Sequence, residues 1–262
     1  MEAGAAPPPA PRGVRGWLAR QERGVLLAML AVATGLFGFA KLAGEVVEGD
    51  THAFDRAILL ALRNPSDLSD PIGPGWFEEM ARDVTALGSH AILGYITLAT
   101  VGFMLLSGRR AGALFVTVAV GSGMLVSSVL KIGFARPRPD LVPHGAEVYT
   151  ASFPSGHAML SAVVYLTLGA LLLRVEPLGR TRFYVLAVAV VTTLLVGASR
   201  VYLGVHWPTD VLAGWCGGAG WAFLCWLVMA WLQGRGKVEP QAEPGPPASG
   251  GPGSDREVQR LR

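Results

Sequence analysis

A chain of 262 residues, 51% apolar and only 16% charged, with a mean hydropathy of +0.42, has the composition of a membrane protein rather than of a water-soluble globule. Its net charge of +3 does not signal nucleic-acid binding, because Lys and Arg are scattered at the ends of apolar runs rather than grouped on one face. The two cysteines, Cys216 and Cys225, share one apolar run, where helical rise holds them about 13 Å apart. They cannot bridge each other, and no zinc-type spacing is present.

Taken in chain order, residues 1–23 open with MEAGAAPPPAPRG, which cannot build a core and is expected to be a disordered cytoplasmic tail. Residues 24–43 are the first of six apolar runs, each near the twenty residues that cross a hydrocarbon core. Arg12, Arg15, Arg20 and Arg23 precede this run, which is too long for a cleavable signal peptide and reads as a retained anchor. In the loop 44–87, AFDRAILLALR and GWFEEMARDVTAL show apolar residues at helical spacing. Short surface helices are expected there, with Trp76 and Phe77 at headgroup depth, either capping the bundle or gating substrate. Five further runs follow at 88–107, 111–130, 157–175, 183–202 and 210–232, and residues 233–262 form a second Pro/Gly-rich tail. The expected fold class is all-α, a six-transmembrane-helix bundle over 24–232 with short surface helices in its first outer loop.

Basic residues favour cytoplasmic loops. With the N-terminus inside, Arg109, Arg110, Arg174, Arg180, Arg182, Arg235 and Lys237 all fall inside, and the outer loop carries three arginines against nine acidic residues. One connection breaks the rule. KIGFARPRPD places Lys131, Arg136 and Arg138 outside, directly after an uncharged run.

Three polar segments lie at the outer ends of spans. In the first, Pro137 and Pro139 hold Arg136 and Arg138 on extended chain, so that alternation points them apart and only one faces a ligand; taken alone, such cations also suit snorkelling anchors. In the second, Ser152-Phe-Pro154-Ser155-Gly156-His157, the proline starts a helix, and Ser155 and Gly156 present unpaired N–H groups suited to an anion. His157 is costly one step into a membrane helix without a task. In the third, from Ser199-Arg200 to His206-Trp-Pro208-Thr-Asp210, the four-residue spacing brings the Asp210 carboxylate within reach of the His206 imidazole, an arrangement that makes a nucleophile or a base. A simpler reading, a capping Asp beside an interfacial His, stands beside it. Six charged or titratable groups at one depth are costly unless they share an anionic ligand.

Lys131 with six residues before Arg138-Pro139, then Pro154-Ser155-Gly156-His157, then Ser199-Arg200 with five residues before His206 and three before Asp210, is similar to the three-part signature of the type 2 phosphatidate phosphatase superfamily. The resemblance implies a metal-independent membrane phosphatase, without cofactor, working through a phosphohistidine. On this chain His206 would attack phosphorus, with Asp210 orienting its ring. Lys131, Arg138 and Arg200 would clamp the phosphate with Ser155 and the Gly156 N–H, and His157 would protonate the leaving oxygen. The implied substrate is a lipid phosphate or polyprenyl diphosphate held in a cell membrane and met at the outer face. Undecaprenyl diphosphate is placed first, ahead of phosphatidate and phosphatidylglycerol phosphate. A lipid-phosphate transporter or binder is the alternative of another class, but it has no need of the His206–Asp210 pair. Arg136 lies outside the signature and is expected to touch headgroups or to anchor.

Overall fold

The structure, a computed structural model, describes residues 12–140, 150–175 and 179–234. The expectations for residues 1–11 and 235–262 lie outside them. The described elements are α1 (Arg12–Glu48), α2 (His52–Ala61), β1 (Arg63–Asn64), β2 (Asp67–Pro71), α3 (Gly75–Ala86), α4 (His90–Leu106), α5 (Arg110–Phe134), α6 (Gly156–Val175), α7 (Gly179–Tyr202) and α8 (Pro208–Gly234). Apart from one two-stranded antiparallel hairpin, β1 with β2, the fold is all-α.

Among the described residues, five helices are long and apolar enough to cross a membrane, and α3 with α4 makes a sixth when this pair, bent by 45°, counts as one span. The expected short helices in the first long loop are α2 and α3; the hairpin between them was not anticipated. The helical part of α1 begins at Arg12, inside the stretch expected to be a tail. WLARQERG consists mostly of good helix formers, and a helix once nucleated extends through such residues.

Helix α6 occupies the centre, packed against α4, α5, α7 and α8, while α1 lies along α8. A helix apolar all round belongs inside. Ala158, Met159, Leu160, Ala162, Val163 and Val164 of α6 are all buried, several against Leu93, Val116 and Val120. The outward faces of the other helices carry exposed Leu27, Phe37, Leu98, Leu106, Leu125 and Ile132, as lipid-facing surfaces require.

Two glycines one turn apart bring α8 onto α6. A Cβ on Gly214 would lie 2.9 Å from the Ser155 carbonyl oxygen, and one on Gly218 would lie 2.4 Å from that of Met159. Small residues at this spacing allow backbones to approach closely. Gly218→Ala must push the helices apart and is expected to destabilise the bundle by about 1–3 kcal/mol. Earlier thermal unfolding in detergent would register it; an unchanged midpoint would mean that the contact has slack. The same contact fixes the start of α6 against the start of α8, where the polar segments meet.

Candidate active site

Helix α5 ends on Ala135, a non-glycine residue in the left-handed region (φ 45°), whose N–H donates to the Lys131 carbonyl at 3.0 Å. The chain then leaves the helix in an extended stretch, and the two arginines diverge. Arg138 reaches toward His206: one terminal nitrogen lies 3.2 Å from Nε2 and donates to the Val205 carbonyl at 2.8 Å. Its Nε donates to the Thr150 carbonyl at 3.0 Å, and its other terminal nitrogen to the Thr150 hydroxyl at 3.1 Å. Burial pulls the Arg138 pKa down, and the Asp210 charge partly restores it.

Arg136 turns inward. It is 7% exposed and donates to Asp210 Oδ1 at 2.7 Å, Thr209 Oγ1 at 2.9 Å, Asp55 Oδ2 at 2.8 Å and Thr51 Oγ1 at 3.1 Å, with its guanidinium carbon 5.6 Å from the Trp207 ring centroid. Headgroup contact or anchoring, expected for this residue, is therefore corrected. Anchoring suits a lone cation at a helix end, whereas two buried carboxylates draw this one inside.

Helix α8 starts in a web of donors and acceptors. Trp207 is its N-terminal boundary, and its N–H donates to Asp210 Oδ2 at 3.0 Å, one half of a capping box. The Thr209 N–H donates to Asp55 Oδ1 at 2.9 Å, so α2 caps α8 from a distant part of the chain. With Pro208 lacking an N–H, the first turn is well satisfied. Asp210 is fully buried. Its Oδ2 accepts from Ser152 Oγ and lies 3.5 Å from His206 Nδ1, while Ser152 Oγ is 3.2 Å from the same nitrogen. Two acceptors beside Nδ1 keep the proton there, leaving Nε2 unprotonated with its lone pair toward the Arg138 guanidinium. Burial lowers the His206 pKa to about 3, against the opposing pull of Asp210, so the ring is neutral near pH 7.

Helix α6 begins at Gly156. Lys131 lies across it, since a Cβ on Gly156 would be 3.3 Å from Lys131 Cε, and the ammonium donates to the Ala151 carbonyl at 2.6 Å. Ser155 is fully buried, and its N–H, expected to face outward, donates to the Asp210 carbonyl at 2.9 Å. That bond joins the two helix starts, so the first-turn amides left for an anion are those of Gly156 and His157. His157 stacks edge-on against His90, with ring centroids 6.3 Å apart. Arg200, at the end of α7, donates to Thr85 Oγ1 at 3.2 Å, and its buried Nε has no hydrogen-bond partner among the described residues. A buried donor in that state is costly and favours an incoming acceptor.

The structure thus brings Lys131, Arg138, His157, Arg200, His206 and Asp210, from the three polar segments, to one end of the bundle. Sequence reasoning missed Asp55 and gave no role to Ser152, Thr51 or Thr209. A signal for Asp55 was present: it shares the buried stripe of α2 with Leu59, one turn on, where a carboxylate needs a partner.

Two hollows lie near the site, the second reached through the contact of His90 with His157. One, of about 910 Å³, is lined by Lys131, Arg136, Arg138 and Thr150 among others. The other, an apolar cleft of about 240 Å³ between α4, α5 and α6, has His90 in its wall together with Leu93, Val120 and Leu160.

Residues 112–233 match the PAP2 superfamily. Phosphatidylglycerophosphatase B of Bacillus subtilis (strain 168) is 36% identical over 140 residues, which are 53% of this chain and 68% of that protein. The undecaprenyl-diphosphatase of Sulfolobus acidocaldarius is 40% identical over 103 residues, 39% of this chain and 44% of that protein. The crystal structure of a transmembrane PAP2-type phosphatidylglycerolphosphate phosphatase from Bacillus subtilis superimposes with a TM-score of 0.64 at 30% identity, covering 81% of this chain and 98% of that one. Signature residues gathered at one end of a multi-pass helical bundle, together with this overlap, lead to one conclusion: the chain belongs to the PAP2 superfamily and is a membrane lipid phosphatase.

Proposed function

We propose that the protein removes phosphate from a lipid through a phosphohistidine on His206. The observation that carries this is the arrangement around that ring: Nδ1 faces Ser152 and Asp210, while Nε2 faces the Arg138 guanidinium at 3.2 Å. As a substrate phosphate arrives, its oxygens take over donors from Arg138, Lys131, Arg200 and the amides opening α6. Nε2 forms a bond to phosphorus as the bond to the lipid oxygen breaks, and His157 delivers a proton to that oxygen. Water, deprotonated by His157, then attacks phosphorus and the nitrogen–phosphorus bond breaks, restoring His206. Three cations at the equatorial oxygens supply the positioning and charge that phosphoryl transfer demands.

The apolar cleft beside His90, whose ring meets that of His157, suits a hydrocarbon chain. Among lipids, the likeness to phosphatidylglycerophosphatase B of Bacillus subtilis and to the crystal structure of a phosphatidylglycerolphosphate phosphatase from that organism, matched over 98% of its length, favours phosphatidylglycerol phosphate as first substrate. Undecaprenyl diphosphate, first on sequence reasoning alone, becomes second. The distribution of basic loops supports a site at the outer face. The deciding experiment is a panel in detergent with EDTA, comparing phosphate release from phosphatidylglycerol phosphate, undecaprenyl diphosphate and phosphatidate. Fastest turnover of the first supports this reading, a preference for the second reverses the order, and no release from any of them overturns it.

Arg200→Lys keeps the charge but loses the planar fork and the buried Nε. Loss of one charge-assisted hydrogen bond, about 1.5–3 kcal/mol, predicts a fall in kcat/KM of about 10–100-fold. Wild-type kinetics in this variant would show that charge alone is needed there.

A further inference from the structure

Between α2 and α8 lies a cluster in which a single guanidinium is shared by two fully buried carboxylates, and only one of the two touches the histidine. We propose that Arg136 and Asp55 are positioning residues of the reaction, fixing Asp210 in place and setting the charge that His206 experiences. The proposal rests on His206 being the nucleophile.

The geometry divides Asp210 into two functions. Its Oδ1 is held by Arg136 at 2.7 Å, and its Oδ2 is directed to the His206 ring, Ser152 and the Trp207 N–H. With Oδ1 fixed, the carboxylate cannot rotate away from the ring. Asp55 does the same for Arg136: Oδ2 accepts from the guanidinium at 2.8 Å and from the Thr209 hydroxyl at 2.7 Å, and that hydroxyl itself accepts from Arg136 at 2.9 Å. Because Asp55 also caps α8 through the Thr209 N–H, the helix that carries Asp210 and the arginine that holds it share one reference point.

The charges matter as well as the positions. Two carboxylates and one guanidinium leave one net negative charge beside a neutral imidazole, in surroundings where screening is weak. Arg136 bound to Asp210 without Asp55 would cancel the charge that makes His206 a good base. Asp210 without Arg136 would leave two negative charges and draw a proton onto the ring. The other groups facing His206 are Arg138 on the extended stretch, Arg200 on α7 and His157 on α6, with Lys131 of α5 in the same cluster. None of these changes in the variants below.

The test is the acidic limb of kcat/KM against pH for the full-length chain, with dioctanoyl phosphatidate in detergent as the probe. Arg136→Gln should move the limb upward by about 1–3 pH units, toward the ordinary histidine range, and lower kcat. Asp55→Asn, which keeps an acceptor for the Thr209 N–H, should leave the limb at or below its wild-type place while kcat falls. Combining the two substitutions restores one net negative charge and should bring the limb back. A purely structural clamp predicts lower activity in all three with the limb unmoved, and that result overturns the proposal. Where a neutral substitution prevents folding, Arg136→Lys replaces it: an unmoved limb with reduced kcat supports the positioning role, and wild-type kcat overturns it. His206→Ala separates the two levels. If that chain remains active, the nucleophile assignment fails and the network's role falls with it; if it is inactive while the limb stays put in Arg136→Gln, only the network proposal fails.

Discussion

His206→Ala is expected to release no phosphate above background from phosphatidylglycerol phosphate, a loss of at least about a thousandfold. No other described nucleophile stands where Nε2 stands. Ser152 donates to Asp210, and the Ser155 hydroxyl is buried in the first turn of α6, where it faces the Ala158 N–H at 3.5 Å. The substitution removes a ring that is 1% exposed, so its folded state must be verified by size-exclusion and thermal unfolding. A rapid quench of the wild-type protein with labelled substrate should trap an acid-labile phosphoenzyme that the variant never forms. Steady turnover by a folded His206→Ala chain would end the phosphohistidine reading.

Asp210→Asn should be nearly as damaging, lowering kcat by about 10³–10⁴-fold on the logic of a carboxylate that holds a catalytic histidine in its working tautomer. Asparagine preserves shape but offers an N–H on one side. Either it donates to Nδ1, which shifts the ring proton to Nε2 and blocks attack, or it turns its N–H toward Arg136, which is already a donor. Breaking a buried ion pair costs about 3–5 kcal/mol, and Arg136 retains Asp55, so the stability loss should lie at or below the lower end of that range. Activity should therefore fall far more than stability. A variant that loses both in proportion would make Asp210 a structural residue, and one with wild-type kcat would remove it from the chemistry.

Much of the fold was legible because a hydrocarbon core imposes length on every helix that crosses it. The apolar runs near 24–43, 111–130, 157–175, 183–202 and 210–232 became α1, α5, α6, α7 and α8 with shifted ends. The second run was harder. Only 17 residues remain in α4 after the bend, and the length of a membrane span is reached only with α3 joined to it. The hairpin Arg63–Pro71 carried no strong strand pattern. It is held instead by tertiary bonds, such as that from Arg63 to the Tyr202 carbonyl at 2.7 Å, which local spacing does not reveal.

At the site, spacing located the residues whose neighbours are close in sequence. His206 and Asp210 are one helical turn apart, and Arg138 is held by its flanking prolines. Asp55 and Arg136 were invisible in this sense because their meaning depends on contacts 81 and 74 residues away. The divergence of Arg136 and Arg138 was readable from the prolines, but its direction was not. Left-handed Ala135 sends Arg136 toward α2 and α8, and no rule of composition marks an alanine for that conformation.

The sharing of Arg136 between Asp55 and Asp210 also bears on how the protein is made. As the ribosome adds segments in order, Asp55 precedes Arg136 and Asp210 follows it. Asp55 is thus the one of its two carboxylate partners that is available to the guanidinium before α8 is made. The second carboxylate arrives with the start of α8, in the same event that delivers His206. A chain that stops before α8 has Asp55 as a partner for Arg136 but lacks both Asp210 and His206, so it carries no catalytic pair.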